Sequence, residues 1–344
     1  MVEDMIDKIK GSLLGGAIGD ALGYTVEFME DYSIFRRFGE LGITEYSLCD
    51  GVAQISDDTQ MTMFTAEGIL RARHKYLNPS DGEYIEEIYH SYLDWLSTQS
   101  RDYDPSLVSE QSFLMNVSEL YSARAPGNTC LSALESGRCG TLENIINNSK
   151  GCGGVMRIAP IPLMLSDSDL PIERIDLLSA RAAAITHGHE LGYIPAAFIS
   201  HIITELLRGK DPDASVLSAR YAMRKLFDGY VYIDYFDQLV EKAVSLVNDD
   251  EIDDLDAIRI IGQGWVAEET AAIAVYCFLK HRDSFEDAVV SAVNHSGDSD
   301  STGAVTGNLI GAYLGYSGIP EKYIENLEHR EILITLAKKL ALGE

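Results

Sequence analysis

The sequence predicts an all-α protein that forms one compact, single-domain helical bundle over residues 1–344. Apolar residues recur at helical spacings of three and four in many segments, and alanine, leucine and glutamate are common within them. Short runs of alternating polarity, which are typical of strands, are scarce. The chain has 344 residues, 46% of them hydrophobic, and no long linker rich in serine, glycine or proline divides it.

Each predicted helix follows from a stripe of apolar side chains. In residues 83–97, Ile85, Ile88, Tyr92 and Trp95 lie on one helical face. The same periodicity predicts helices over residues 172–186, 192–208, 214–228, 234–248, 268–281 and 321–342. Proline and glycine mark the loops between helices, for example over residues 126–127 and 151–154 and at Pro171.

Two further helices, over residues 4–23 and 302–315, carry a glycine at every fourth position. The glycines are Gly11, Gly15, Gly19 and Gly23 in the first, and Gly303, Gly307, Gly311 and Gly315 in the second. A step of four keeps each set on one slowly drifting helical face. Because glycine costs about 1 kcal/mol relative to alanine inside a helix, we interpret these faces as sites of close backbone approach. Coincidence among 29 glycines is the alternative.

Charge and cysteine content limit the classes of function. The formal net charge of −27 disfavours binding to nucleic acid or to an anionic membrane, and it tolerates a basic protein partner. No apolar run approaches ~18 residues, and the first ten residues lack the apolar region of a signal peptide. Five cysteines without metal-finger spacing indicate free thiols. We therefore expect a cytoplasmic protein.

Two short motifs place oxygen-bearing side chains at predicted helix starts. Ser56, Asp57 and Asp58 precede an apolar helical run, and Asp298 and Asp300 precede the second glycine-stepped helix. Helix capping explains part of each motif. Pairs of acidic side chains carry more negative charge than capping needs, and a hard cation such as Mg²⁺ or Mn²⁺ prefers such ligands. Both interpretations stay open at this point.

A further acidic residue follows the first glycine-stepped helix. Glu27 lies among Tyr24, Val26 and Phe28, so we expect its carboxylate to be partly buried. A buried carboxylate requires a hydrogen-bonding partner or a metal ion. Glu27 is therefore a candidate for the same site as the two motifs.

Several stretches, taken in order, resemble the ADP-ribosylglycohydrolase family. They are GSLLGGAIGDALGYTVEF (11–28), SDDTQMTMFTAEGIL (56–70), SKGCGGVMRIAPIPL (149–163), THGHELGY (186–193) and NHSGDSDSTGAVTGNLIGAYLG (294–315), with a weaker stretch, GQGWVAEETAAIAVYCFL, at 262–279. These stretches span nearly the whole chain. The resemblance implies an all-α bundle whose central cleft holds two Mg²⁺ or Mn²⁺ ions.

The resemblance also implies roles for individual residues. The implied metal ligands are Ser56, Asp57, Asp58, Asp298, Asp300 and Ser301, and the implied catalytic residues are Glu27 and Asp58. The implied substrate-binding residues are Ser149, Lys150, Gly151, Gly153, Gly154, His187 and Trp265. Within this set, the glycines permit backbone N–H groups to face a diphosphate. Buried structural roles for His187 and Trp265 are the alternatives.

The implied activity is removal of ADP-ribose from a modified protein side chain by a monomeric enzyme. The string GDSDST (297–302) is closer to arginine-directed relatives, which favours ADP-ribosyl-arginine, and residues 98–112 lie where relatives shape acceptor recognition. The alternatives are a hydrolase of serine-linked or O-acetyl-ADP-ribose, a toxin-antagonising immunity protein, or a non-catalytic ADP-ribose-binding member. Intact Asp57, Asp58, Asp298 and Asp300 disfavour the last of these.

Overall fold

The computed structural model describes residues 2–343, and in this range the chain is built of α-helices, short 3₁₀ turns and loops. The α-helices are α1 (Val2–Tyr24), α2 (Asp31–Phe38), α3 (Asp57–Lys75), α4 (Asp81–Ser100), α5 (Asn128–Glu135), α6 (Pro160–Leu165), α7 (Ile172–Ala184), α8 (Glu190–Leu207), α9 (Pro212–Leu226), α10 (Ile233–Val247), α11 (Asp254–Ile261), α12 (Ala267–Lys280), α13 (Phe285–Val293), α14 (Ser299–Leu314), α15 (Glu321–Ile324) and α16 (Arg330–Leu342). The predicted all-α class is confirmed.

Most helices predicted from apolar periodicity are present within a few residues of their predicted ends. One prediction was wrong, because residues 321–342 form two helices, α15 and α16, rather than one. The intervening segment pairs with residues 53–55: Ala53 N–H donates to Asn326 O at 2.8 Å, and Ile55 N–H donates to the Glu328 carboxylate at 3.0 Å. His329 then turns the chain with φ +55°. These tertiary hydrogen bonds outweigh continuation of the helix.

The two glycine-stepped helices, α1 and α14, pack antiparallel with their backbones in direct contact. Gly15 lies against Gly307, where a Cβ on either residue would clash with the carbonyl oxygen of the other. The same relationship holds between Gly11 and Gly311 and between Gly19 and Gly303. The expected close approach is therefore confirmed. Gly315 is different, because it ends α14 as its C-cap with φ +75°.

A reciprocal pair of hydrogen bonds fixes the register of α1 and α14. The Ser12 hydroxyl donates to Asn308 O at 2.9 Å, and the Asn308 amide donates to Ser12 O at 2.8 Å. Both side chains are buried, so losing either partner would leave an unsatisfied polar group. This register determines where the segment after α1 and the start of α14 lie relative to each other.

The core surrounds α3, whose residues from Asp57 to Leu70 are all buried. A helix that is buried on every side needs neighbours all around it, and α1, α4, α6, α14 and α16 contact α3. The first turn of α3 is therefore held deep in the molecule. No helix in residues 2–343 combines the length and apolarity that crossing a membrane requires.

Candidate active site

The first turn of α3 is held by a carboxylate from α1. Asp20 accepts hydrogen bonds from Ser56 N–H at 3.0 Å and Thr59 N–H at 3.1 Å, and also from the Thr59 hydroxyl. Ser56 is the N-cap of α3, and its hydroxyl accepts from Asp58 N–H at 3.2 Å. The capping interpretation of this motif is thus correct for Ser56, whereas the carboxylates of Asp57 and Asp58 do not cap the helix.

The second acidic motif forms the start of α14. Asp298 occupies the N-cap position without capping through its side chain, and Asp300 lies in the first helical turn rather than before the helix as we expected. The Ser301 hydroxyl donates to Oδ2 of Asp58 at 2.8 Å. This bond joins the first turns of α3 and α14, so the two motifs form one cluster.

Glu27 completes this cluster from the turn that follows α1. Oxygen atoms of Glu27, Asp298 and Asp300 lie within 4.8 Å of one another, and all three residues are buried. Oε2 of Glu27 is fully buried and has no hydrogen-bond donor among the described residues. We call Glu27, Asp57, Asp58, Asp298 and Asp300 the acidic cluster.

Burial and mutual repulsion raise the pKa values of the acidic cluster. Burial raises the pKa of Glu27 to about 9, and the charges of Asp300 and Asp57 add to the effect. Burial and the Asp300 charge also raise the pKa values of Asp57, Asp58 and Asp298 well above the usual range. Without a cation these carboxylates resist ionising together, so the cluster favours binding of positive charge.

A glycine-rich loop of residues 149–154 lies beside the acidic cluster, and its Gly151, Cys152 and Gly153 line the same cleft. His187 is buried against this loop, and a Cβ on Gly153 would approach Cε1 of its ring to 2.9 Å. Burial, together with the charge of Arg157, lowers the pKa of His187 to about 3, so the imidazole is neutral at physiological pH. Gly154 serves packing, because a Cβ there would lie 2.7 Å from Gly192 O in α8.

The acidic cluster and the glycine loop enclose a cleft of about 340 Å³. Its lining includes ten of the predicted site residues, namely Glu27, Asp57, Asp58, Gly151, Gly153, His187, Trp265, Asp298, Asp300 and Ser301. Trp265 is 41% exposed at this cleft and stacks on Phe28, which is 74% exposed, with ring centroids 6.0 Å apart. A buried core role for Trp265 is therefore excluded.

Four predicted site residues do not line the cleft. Ser56 caps α3 next to the acidic cluster, and Gly154 packs against α8. The Ser149 hydroxyl shares a hydrogen bond with that of Thr129 at 3.0 Å. Lys150 forms an ion pair with Glu268, whose side chain is fully buried, so its charge is balanced within the protein.

Sequence reasoning missed other residues of the site. None of residues 98–112 lines the cleft, and residues 125–130 line it instead. Phe28, Cys152 and Met156 also line the cleft without having been assigned to it. Asp20 was overlooked as well, although it adjoins Gly19 in a motif that we had singled out.

The sequence itself matches a family model described as ADP-ribosylglycohydrolase over residues 1–344. The chain belongs to the ADP-ribosylglycohydrolase family. It is 25% identical to the ADP-ribosylarginine hydrolase Tri1 of Serratia proteamaculans, with 98% of this chain and 80% of that protein covered. It is 26% identical to the ADP-ribosyl-[dinitrogen reductase] glycohydrolase of Rhodospirillum rubrum, with 98% and 97% covered.

The fold of this glycohydrolase is also similar to a solved structure. An ADP-ribosylglycohydrolase-related protein complex matches with a TM-score of 0.65 and 24% identity over 99% of this chain and 98% of that chain. Membership of the ADP-ribosylglycohydrolase family makes the chain a hydrolase of ADP-ribose conjugates.

The acidic cluster of this glycohydrolase has the chemistry of a divalent-cation site. Its donors are carboxylate oxygens, with the Ser301 hydroxyl alongside, and hard cations prefer oxygen ligands. The unpartnered buried Oε2 of Glu27 lacks the positive partner that a buried carboxylate requires. The residues present therefore fit a divalent metal ion.

Proposed function

We propose that this glycohydrolase removes ADP-ribose from arginine side chains of a modified protein, with two divalent cations, Mg²⁺ or Mn²⁺, in the acidic cluster. The observation that carries the proposal is the convergence of five buried carboxylates on a cleft that is also lined by glycines of the loop 149–154. Such a cleft suits a ligand with ribose hydroxyls at one end and a diphosphate in its middle.

Asp57, Asp58, Asp298, Asp300 and Ser301 are the residues that we assign to holding the cations. Ser56, which we also expected among the ligands, caps α3, and its hydroxyl lies within hydrogen-bonding reach of Asp300. When bound, divalent cations supply positive charge that orients ribose hydroxyls and increases the acidity of water. The glycosidic bond breaks through a transition state that resembles an oxocarbenium ion, which nearby negative carboxylates stabilise.

Proton transfer is assigned to a carboxylate of the acidic cluster, with Glu27 and Asp58 as the two candidates. Oδ2 of Asp58 accepts the Ser301 hydroxyl, whereas Oε2 of Glu27 has no donor among the described residues. Glu27 therefore has an oxygen available to take a proton from the attacking water or to return one to the leaving group.

The arginine linkage rests on two observations. The string GDSDST is closer to arginine-directed relatives, and the Serratia relative carries the name ADP-ribosylarginine hydrolase. The acidic surface, with a net charge of −27, is suited to a basic protein substrate.

The experiment compares ADP-ribosyl-arginine, ADP-ribosyl-serine and O-acetyl-ADP-ribose as substrates, each with Mg²⁺, with Mn²⁺ and after verified removal of metal. We expect ADP-ribose to be released from the arginine conjugate with either cation and from no substrate without one. Full activity in excess chelator would refute the metal assignment. Hydrolysis of the serine conjugate alone would refute the arginine assignment.

A further inference from the structure

Arg157 is a buried cation without a carboxylate partner among the described residues. Its side chain is fully buried, and it takes part in none of the ion pairs in residues 3–343. The guanidinium lies over the ring of Tyr92, with 4.4 Å from its carbon to the ring centroid. Its Nη1 donates to sulfur atoms of Met61 and Cys130 at 3.4 Å, and its Nε has no acceptor.

The strongest hydrogen bond of Arg157 points towards the cleft. Nη2 donates to the Thr186 hydroxyl at 2.7 Å, and that hydroxyl lies 2.8 Å from Nδ1 of His187. Arg157, Thr186 and His187 therefore form one continuous chain of hydrogen bonds. The chain begins at a buried positive charge and ends at an imidazole that lines the cleft.

The first member of this chain limits the donor and acceptor roles of the other two. A guanidinium can only donate, so the Thr186 oxygen accepts from Arg157. The single hydroxyl proton of Thr186 is then available to donate, and Nδ1 of His187 lies 2.8 Å from the hydroxyl oxygen. The Cys130 thiol is also within reach of this hydroxyl, but sulfur is a weaker acceptor than an imidazole nitrogen. Nδ1 therefore accepts, and the ring proton of the neutral His187 resides on Nε2.

The Nε2 atom of His187 faces the glycine loop. A Cβ on Gly151 would lie 3.4 Å from Nε2, and no described residue accepts a hydrogen bond from this atom. An Nε2–H group here presents a donor to the part of the cleft that we assign to the diphosphate. The second cation near this loop, Lys150, is already paired with Glu268.

We propose that Arg157 is a positioning residue that acts through Thr186 to hold His187 as an Nε2–H donor to the diphosphate of the ligand. The guanidinium supplies uncompensated positive charge behind the loop, and the two hydrogen bonds transmit its polarity to the cleft. The proposal rests on the proposed function for the identity of the ligand. The tautomer of His187, in contrast, is a property of the free protein.

The test of the relay is the tautomer of His187, measured by ¹⁵N–¹H correlation spectra of protein labelled at histidine, with His187→Gln to assign the signal among eight histidines. We expect Nε2–H in the wild type and in Thr186→Ser, which retains the hydroxyl. We expect a mixture of tautomers in Thr186→Val and in Arg157→Met. The matched control is Thr204→Val, which removes a buried hydroxyl bonded to Ser200 O and should leave the His187 signal unchanged.

Calorimetry of ADP-ribose binding in the presence of Mg²⁺ gives the second measurement. Thr186→Val should weaken binding by about tenfold or more, as expected for a hydrogen bond to a charged group, and Thr186→Ser should restore it. An Nδ1–H tautomer of His187 in the wild type would overturn the proposed relay from Arg157 through Thr186, whether or not ADP-ribose binds. A folded Arg157→Met protein with wild-type tautomer and affinity would overturn the role of Arg157. If Arg157→Met does not fold, Thr186→Val tests the relay instead, and a wild-type tautomer and affinity in Thr186→Val would overturn it. Failure of the wild type to bind ADP-ribose would instead count against the proposed function and leave the relay standing.

Discussion

The Ser301 hydroxyl donates to Oδ2 of Asp58 at 2.8 Å, which ties the first turn of α14 to the first turn of α3. The two residues are 243 positions apart in the chain. Both side chains are buried, so water does not compete for this hydrogen bond. The five buried carboxylates of the acidic cluster depend on this placement of α14 against α3.

Asp300→Asn should abolish activity while leaving the fold intact. The charge of Asp300 raises the pKa values of Glu27, Asp57, Asp58 and Asp298, so Asp300 is at the centre of the acidic cluster. We expect at least a ~100-fold loss of ADP-ribose release and loss of the rise in melting temperature on adding Mg²⁺. The exposed Asp250→Asn is the control. Wild-type turnover by the Asp300 variant would contradict the ligand assignment.

The metal-free protein should become less stable as pH rises from about 5 to about 9. Burial and nearby charge raise the pKa of Glu27 to about 9, so its protonated form stabilises the folded state. That contribution is complete below the pKa of the unfolded chain and is lost as pH rises through the folded value. Urea midpoints measured in chelator should therefore fall with pH, and less steeply in Glu27→Gln.

Two controls accompany this pH series. Glu110→Gln changes an exposed carboxylate and should leave the slope unchanged. Saturating Mg²⁺ should reverse the trend, because carboxylates bind metal only when deprotonated. Metal-free stability that increases with pH would show that the acidic cluster is ionised without a cation.

Gly15→Ala should destabilise the protein by about 1–3 kcal/mol or more. A Cβ on Gly15 would meet the Gly307 carbonyl oxygen, and backbone at that point cannot move without separating α1 from α14. Gly82→Ala is the matched control, because Gly82 is exposed in α4 and its Cβ would meet no atom closer than 4.0 Å. Gly82→Ala should increase the free energy of unfolding by at most about 1 kcal/mol, because alanine has the higher helix propensity. Equal stability of the two variants, measured by chemical unfolding, would exclude overpacking.

Asp20→Asn should lower both stability and metal affinity. The Asp20 carboxylate accepts hydrogen bonds from Ser56 N–H and from the N–H and hydroxyl of Thr59, whereas an amide turns its N–H₂ group towards at least one of those donors. We expect the free energy of unfolding to fall by about 1–3 kcal/mol. We also expect weaker Mg²⁺ binding by calorimetry, because the first turn of α3 would shift.

Ser80→Ala is the comparison for Asp20→Asn. It removes the capping box of α4 and should cost about 1 kcal/mol without changing metal affinity. If the two variants lost stability equally and both retained full Mg²⁺ affinity, Asp20 would be a helix cap and nothing more.

The sequence was most informative where the spacing of residues alone determines which side of a helix they occupy. The glycine step of four predicted a close backbone approach on one face of each helix, and the contact of Gly15 in α1 with Gly307 in α14 confirms it. The same contact brings Glu27, just beyond the end of α1, beside Asp298 and Asp300. Spacing of this kind can be recognised in a single sequence because it is local and does not depend on which distant segment the helix contacts.

Interactions between distant segments were not predictable from periodicity. The helix over 321–342 breaks because Glu328 and Asn326 bond to residues 53–55, which no local pattern reveals. The pairing of Lys150 with Glu268 depends in the same way on a loop and the first turn of α12 meeting in space. The role of Asp20 was missed for this reason too, since its donors lie 36 and 39 residues further along the chain.

The pairing of α1 with α14 has a consequence for how the protein is made. Ser12 and Asn308 are 296 residues apart, and a ribosome adding about 5–20 residues per second needs ~15–60 s to synthesise the second after the first. During that interval the glycine face of α1 has no partner, and Glu27 has neither Asp298 nor Asp300 beside it. A nascent chain therefore cannot assemble its acidic cluster, and catalytic competence arrives only after nearly all of the chain has emerged.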